Sequence, residues 1–196
     1  MNEMMKETDK REVIRKAAIK VFAEQGFHNT TTDKVAKEAG VAVGTIYNYF
    51  QNKADVLEYI FEVEYQKRKT FYEKLKQENL SSVEKLRSIM EKHFTEVKEN
   101  PELIKIILEE RQHTSKGCSR RPALRKIFEE IILDGRNRGE LREVDPEALS
   151  MMLFGSIEAV MREYLSREQE GKHKERVFER VMEETTKLFY EGLVHQ

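Results

Sequence analysis

Residues 30–53, with the sequence TTTDKVAKEAGVAVGTIYNYFQNK, constrain the fold more than any other stretch of the chain. They specify two short helices joined by a tight turn. Thr31 or Thr32 is predicted to cap the first helix, because a hydroxyl at this position accepts a hydrogen bond from a free backbone amide. Gly40 ends that helix, since glycine adopts the left-handed conformation without a side-chain clash. The second helix is then expected over about 43–50.

The outward face of this second helix indicates contact with DNA. Ile46 and Phe50, four residues apart, are expected to face the core. In a helix-turn-helix the second helix enters the major groove, and the first presents its amino-terminal amides to phosphate. A small structural three-helix bundle is the alternative. The candidate DNA-binding residues are Thr31, Thr32, Val43, Gly44, Thr45, Tyr47, Asn48, Tyr49 and Lys53.

Apolar residues recur at helical spacing along the rest of the chain, which predicts an all-α protein of about nine helices. Only 3 prolines occur among 196 residues, so long helices are permitted. We expect an N-terminal three-helix domain over residues 1–52, joined to a larger helical domain over 53–196. The remaining helices are predicted at about 9–25 for helix 1, then 53–78, 82–98, 101–113, 122–137, 146–167 and 174–193 for helices 4 to 9.

Composition excludes several protein classes. The only cysteine, Cys118, rules out an internal disulfide and fits a reducing compartment. No apolar run reaches membrane-spanning length, and the polar N-terminus does not resemble a signal peptide. The net charge is -1, so binding to nucleic acid must come from a local arrangement. We therefore expect a cytoplasmic protein with no membrane partner.

Helix 8 carries more apolar surface than one core can use. Between Glu147 and Glu158 it has no charged residue, and small side chains on it permit close approach of another helix. We interpret helices 8 and 9 as the interface of a homodimer, which would form a four-helix contact. A fully buried core helix is the alternative. The candidate interface residues are Met152, Gly155, Ser156, Ala159, Val181 and Leu188.

Helix 6 is apolar around most of its circumference, which predicts a buried central helix of the larger domain. Arg111 projects near the centre of the apolar arc and Glu110 near its edge. A buried charge needs a partner, so these two form an internal ion pair or anchor a polar ligand head group. The candidate ligand-binding residues are Phe94, Ile107, Glu110, Arg111 and Phe128.

A helical-bundle enzyme with two metal ions is a remote alternative. Glu110-x-x-His113 has the spacing of one arm of such a site, and Glu170-x-x-His173 repeats it. A complete site needs two further inward carboxylates, and the second motif lies in a polar run that predicts a turn. We therefore predict no catalytic residues, no metal and no cofactor.

Residues 31–57 follow the pattern TTxxVAxxAGVxxGTIYxYFxxKxxVL and, together with the upstream FAEQGF segment over 22–27, resemble the TetR family of bacterial repressors. The resemblance implies a homodimer that binds a roughly palindromic operator and is released by a small ligand held in the larger domain. One position departs from the family pattern. Ala42 stands where serine is frequent, and the lost helix cap weakens the start of the recognition helix by around 1 kcal/mol.

The second half also resembles the FadR-type regulators of fatty-acid degradation within that family. The residues concerned are the Lys92-His93-Phe94 run and the segment LEERQ over 108–112. This resemblance implies a long-chain acyl-CoA as effector, with its acyl tail among the helices of the larger domain. The basic segment 116–125 would suit the CoA phosphates, or is a solvated loop. A drug-like or other lipophilic inducer remains open.

Overall fold

The computed structural model describes residues 2–114, 117–166 and 172–193. Within these ranges the chain forms nine α-helices and no β-strand, which confirms the all-α prediction. None of the described helices is long and apolar enough to cross a membrane. The helices are α1 Asn2–Gln25, α2 Thr32–Ala39, α3 Val43–Tyr47, α4 Lys53–Gln77, α5 Ser82–Glu99, α6 Pro101–Glu109, α7 Gly117–Asn137, α8 Pro146–Ser166 and α9 Lys172–Leu193, with a 3-10 turn at Arg111–His113 after α6.

Side-chain caps fix the starts of several helices. The Thr31 hydroxyl accepts a hydrogen bond from the Lys34 amide at the start of α2. The Asp145 carboxylate accepts one from the Ala148 amide at 2.7 Å at the start of α8. Ala42 precedes α3 and makes no such bond. The predicted cap at Thr31 and the predicted absence of a cap at Ala42 are therefore confirmed.

Four predicted helix boundaries are wrong. Helix α3 ends at Tyr47 rather than near Phe50. Helix α1 begins at Asn2 rather than near Asp9. Helix α6 ends at Glu109, and the 3-10 turn replaces its predicted last turn. Helix α7 begins at Gly117, so Pro122 lies inside it rather than at its first position. Proline inside a helix removes one backbone hydrogen bond, and here the helix continues through it.

The chain divides into two compact units. Unit 1 comprises Met1–Gln66 and Glu102–Cys118, and unit 2 comprises Lys67–Pro101 and Ser119–Gln196. Helix α4 contributes to both units, and α6 belongs to unit 1. The predicted boundary after residue 52 stays a prediction, since it separates functions rather than compact units.

Helix α6 packs with the helices of the N-terminal domain. Ile106 is part of the hydrophobic core that α1 to α4 form in unit 1, and Leu103 packs against that core. The Lys105 ammonium donates to the Ala23 carbonyl at 3.0 Å. The prediction that helix 6 is buried is therefore confirmed, and its apolar surface packs into the core of unit 1.

Unit 2 is built on the remainder of α4 with α5, α7, α8 and α9. Its fully buried residues include Tyr72, Ile89, Phe94, Phe128 and Ile131. Helices α5 and α7 meet closely at Gly135, where an added Cβ would lie 2.5 Å from the Ser82 Cβ. Only glycine fits this contact.

Candidate nucleic-acid interface and effector region

The turn between α2 and α3 has the geometry that its sequence predicts. Gly40 has a φ of 65°, in the left-handed region. The Val41 amide donates to the Ala36 carbonyl at 3.0 Å, which closes the end of α2. Ile46 is 0% exposed and Phe50 is 3% exposed. These two anchors fix the rotation of α3 and so decide which of its residues face outward.

The outward face of α3 is polar, open and free of bulky neighbours. Tyr47 is 56% exposed, and Gly44 and Asn48 are also exposed. A Cβ added at Gly44 would meet nothing within 4 Å, so another molecule can approach the backbone there. Val43, Thr45 and Tyr49 are half-buried, as is Thr32, while Thr31 is exposed. Their contacts with DNA stay predictions.

Lys53, the predicted phosphate contact at the start of α4, is engaged within the protein. Its ammonium donates to the carbonyls of Phe27, His28 and Thr30 at 2.7, 3.0 and 2.8 Å. The same ammonium lies 4.6 Å from the centre of the Phe27 ring. An ammonium has three protons to donate, so these carbonyls use its full capacity. In this structure Lys53 stabilises the turn between α1 and α2.

Arg11 on α1 contacts the segment that directly follows α3, and the sequence did not predict this contact. Its guanidinium donates to the Tyr49 carbonyl at 3.1 Å and lies over the rings of Phe50 and Tyr59 at 5.2 and 5.3 Å. The position of Arg11 on α1 was the feature of the sequence that indicated this contact. At about 100° per residue, Arg11 falls inside the apolar arc that contains Ile14.

The end of α6 contacts the same turn between α1 and α2. A Glu110 carboxylate oxygen accepts from the Phe27 amide at 3.3 Å. The His113 ring stacks on Phe27 with centroids 5.6 Å apart, and its Nε2 lies 3.2 Å from the His28 Nε2. We call Phe27, His28, Glu110 and His113 the helix 6 latch.

The helix 6 latch gives Glu110 contacts that the sequence did not predict, while the predicted roles of Glu110 and Arg111 stay predictions. Their predicted directions assumed an α-helix to residue 113, but the 3-10 turn begins at Arg111 and changes the rotation per residue. Glu110 is used by the Phe27 amide and lies 3.6 Å from His113. Arg111 is half-buried on the 3-10 turn.

The other predicted ligand-binding residues are divided between the two units, and their contact with a ligand stays a prediction. Ile107 is half-buried in unit 1. Phe94 and Phe128 are each 1% exposed in unit 2. Phe94 packs edge to face against Phe178 at 5.3 Å, and Phe128 packs against Tyr72 at 5.4 Å. In unit 2 both are core residues in aromatic surroundings.

The predicted basic loop is largely helix, and two of its arginines, Arg121 and Arg125, bind carboxylates of unit 2. Arg121 makes two hydrogen bonds of 3.0 Å to Glu158 and lies over the Phe154 ring at 5.1 Å. Arg125 lies 3.1 Å from Glu129. Neither guanidinium projects from a solvated loop.

A buried tyrosine–histidine pair in unit 2 joins α4, which carries Tyr72, to α5, which carries His93. The Tyr72 hydroxyl is hydrogen-bonded to the His93 Nε2. Burial lowers the pKa of His93 to about 3 and raises the pKa of Tyr72. The His93 Nδ1 has no hydrogen-bond partner, and a Glu96 oxygen lies 4.0 Å from it. The sequence analysis used His93 only as part of a resemblance.

The predicted interface residues all lie at the surface of unit 2. Met152 is 64% exposed and Leu188 is 70% exposed. Gly155 and Ser156 are half-buried, and Ala159 and Val181 are exposed. The opposite face of α8 is buried, through Leu149, Ser150, Leu153, Ile157 and Met161.

Among the described residues, no group of three or more histidine, cysteine, aspartate or glutamate side chains is arranged to hold a metal ion. Glu110 and His113 belong to the helix 6 latch. The second motif of the metal alternative, Glu170-x-x-His173, falls outside the described residues and side chains.

Comparison with known proteins places both halves of the chain. Residues 14–60 match the family model for bacterial regulatory proteins of the tetR family, and residues 79–167 match that for the tetracyclin repressor-like C-terminal domain. The fatty acid metabolism regulator protein of Bacillus subtilis (strain 168) is 33% identical over 162 residues, covering 78% of this chain and 82% of the relative.

Two solved structures are similar over nearly the full chain. The fatty acid degradation regulator FadR from Bacillus halodurans has a TM-score of 0.78 at 27% identity, covering 89% of this chain and 93% of that one. FadR from Bacillus subtilis, in complex with stearoyl-CoA, has a TM-score of 0.73 at 29% identity, covering 88% and 95%.

Proposed function

The chain belongs to the TetR family of bacterial regulators, and on that premise we propose that it is a repressor that binds a palindromic operator as a homodimer and is released by a long-chain acyl-CoA. The observation that carries the DNA-binding part is the outward face of α3. Two buried anchors, Ile46 and Phe50, fix its rotation, and the open position at Gly44 allows a groove wall to approach. We assign the protein to the cytoplasm and assign it no catalytic activity, metal or cofactor.

The two faces of α8 support the homodimer. One face is buried in unit 2, and the other presents Met151 and Met152 at 57% and 64% exposure. Exposed apolar surface of this kind marks a protein interface. Pairing two α3 helices in one dimer matches the two-fold symmetry of a palindromic operator. Pairing also gives the dimer a higher affinity for DNA than a single N-terminal domain has alone.

The effector class rests on the relatives. The Bacillus subtilis relative is a fatty acid metabolism regulator, and the Bacillus subtilis FadR structure contains stearoyl-CoA. The aromatic core of unit 2, with Tyr72, Phe94, Phe128 and Phe154, suits the tail of such a ligand. A drug-like or other lipophilic inducer is the second candidate, and the same apolar core would suit its body.

Release requires that the effector bind the non-DNA state more tightly than the DNA-bound state. The chain passes between the two units at residues 66–67, 101–102 and 118–119. Two of these crossings flank α6 and the helix 6 latch. We propose that effector binding in unit 2 acts through these crossings on the latch, and so on the turn that precedes the DNA-binding helices.

The test begins with selection of a DNA site from a random library, since the operator sequence is unknown. Fluorescence anisotropy then measures affinity for that site across a salt series. We expect affinity to fall as salt rises, because phosphate contacts release counterions. Tyr47→Ala and Asn48→Ala should each weaken binding about tenfold or more at unchanged thermal stability. Selection of no site, or salt-independent binding, would contradict the DNA-binding function.

A second measurement addresses the effector. Acyl-CoAs of graded chain length are compared with free fatty acids and cationic drugs, first by thermal shift and then by release from the selected DNA. Release by long-chain acyl-CoA alone supports our assignment. Release by a cationic drug alone replaces the effector but leaves the repressor in place.

A further inference from the structure

The Tyr72–His93 pair contains a hydrogen-bond donor without an acceptor. If the Tyr72 hydroxyl donates to the His93 Nε2, the ring carries its proton on Nδ1, and that N–H is unsatisfied. If instead Nε2 donates to the tyrosine oxygen, both the hydroxyl proton and Nδ1 lack partners. The first arrangement leaves fewer buried groups unpaired, and so it is the stable one.

The nearby carboxylate does not satisfy this donor. The Glu96 oxygen lies 4.0 Å from Nδ1, beyond hydrogen-bond distance. Its position is set by Arg68 and Lys92, which lie 3.3 Å from its two oxygens. The carboxylate is therefore held by two cations, and His93 remains available to a further acceptor.

The surroundings of the pair favour an organic ligand. His93 is 7% exposed and Tyr72 is 1% exposed. Phe128 packs its edge against Tyr72 at 5.4 Å, and Phe154 packs against Phe128 at 5.5 Å. The pair thus has aromatic rings on the Tyr72 side and the charged group of Arg68, Lys92 and Glu96 on the His93 side. Binding sites for mainly apolar ligands combine apolar walls with a few polar groups in this way.

We propose that the His93 Nδ1–H donates to the acyl carbonyl oxygen of the effector, and that Tyr72 is the positioning residue that keeps the proton on Nδ1. This inference rests on the proposed function, in which the effector is an acyl compound. The carbonyl oxygen belongs either to a thioester or to a free fatty acid. Burial holds the imidazole neutral, so it recognises the oxygen as a neutral donor. A cationic drug has no such acceptor at its charged group.

The test compares two ligands that differ only in the carbonyl. Stearoyl-CoA and its thioether analogue S-octadecyl-CoA have the same chain length, and the analogue lacks the acyl oxygen. Isothermal titration calorimetry measures both dissociation constants for the wild-type homodimer, with stearic acid as a third ligand. We expect stearoyl-CoA to bind about three- to tenfold more tightly than the thioether, as one net hydrogen bond predicts.

Variants then assign the preference to the pair. Tyr72→Phe removes only a hydroxyl and should reduce the preference, because the proton is no longer held on Nδ1. His93→Phe removes the donor at similar volume and should bind the two ligands equally. Tyr164→Phe removes a hydroxyl elsewhere in unit 2 and should keep the wild-type preference. If His93→Phe does not fold, Tyr72→Phe still decides the matter.

The possible outcomes distinguish failure of the carbonyl contact from failure of the proposed acyl effector. Equal binding of thioester and thioether by the wild type overturns the carbonyl contact but leaves an acyl-CoA effector. A preference that survives in both variants also overturns it. Tight binding of stearic acid with the same loss in the variants supports the contact and assigns it to the free acid. Binding of none of the three overturns the acyl effector and this inference together.

Discussion

The turn between α1 and α2 in unit 1 and the Tyr72–His93 pair in unit 2 differ in how far their polar groups are satisfied. At the turn, the carbonyls of Phe27, His28 and Thr30 all accept from Lys53, and the Phe27 amide donates to Glu110. In the pair, the His93 Nδ1 has no partner.

The difference indicates different tasks. A turn whose backbone carbonyls and amide are hydrogen-bonded to side chains has one preferred conformation. This suits a segment that must position a DNA-binding helix. A buried group with an unused hydrogen bond is destabilising until an acceptor arrives, which suits a segment that must respond to a ligand.

Lys53→Met should have the largest effect. It removes three hydrogen bonds and leaves three carbonyls without their donor, so the free energy of unfolding should fall by roughly 3 kcal/mol. Urea unfolding in the absence of DNA measures this, with Lys37→Met, an exposed lysine of α2, as the control. Wild-type stability combined with lost DNA affinity would show that Lys53 serves phosphate alone, and the contrast would disappear.

Gly135→Ala tests how closely unit 2 is packed away from the Tyr72–His93 pair. The added methyl would lie 2.5 Å from the Ser82 Cβ, so we expect a loss of roughly 2–3 kcal/mol in thermal or urea unfolding. Gly44→Ala, measured in the absence of DNA, is the control, because its Cβ would meet nothing within 4 Å and it lies outside the proposed dimer interface. A harmless Gly135→Ala would indicate that the whole unit yields easily.

Acidification should lower the free energy of unfolding because His93 of the same pair is buried in its neutral form. Unfolded histidine takes up a proton below about pH 6.5, whereas folded His93 stays neutral until about pH 3. The unfolded state therefore binds more protons in this window, and stability falls as the pH drops. By pH 5 the loss attributable to His93 should reach roughly 2 kcal/mol.

The measurement is urea unfolding at pH 7, 6 and 5 for the wild type and for His93→Gln, which cannot titrate. The difference between the two curves isolates His93 from the carboxylates. Parallel curves would mean that the imidazole is not buried as described, and the unit 2 side of the contrast would fail.

Glu110→Ala should have the smallest effect on stability, about 1 kcal/mol, because one hydrogen bond at the helix 6 latch is lost. Glu109→Ala, an exposed neighbour, is the control. The sharper readout is the ratio of DNA affinities with and without effector, which should shrink in Glu110→Ala. An unchanged ratio would show that the latch stabilises the turn without transmitting effector binding.

The features that the sequence predicted correctly are those with local causes. Gly40 ends α2, Thr31 caps it, and Ile46 and Phe50 are buried, because each depends on neighbours within a few residues. The uncapped start of α3 at Ala42 belongs to the same group.

The features that it missed depend on distant partners. The apolar surface of α6 predicted burial, which is correct, but periodicity does not say against which helices. Ile106 packs into the core of unit 1, and Glu110 pairs with an amide 83 residues away. The Tyr72–His93 pair likewise joins two helices whose register no local pattern reveals.

The composition of unit 1 from two separate stretches of chain has a consequence for biosynthesis. The first 66 residues leave the ribosome before the segment that supplies Ile106, Glu110 and His113 has been made. The DNA-binding helices are thus translated early but lack part of their core until α6, which follows α5, has been synthesised. The nascent chain therefore reaches its complete DNA-binding conformation only after the first helices of unit 2 have emerged.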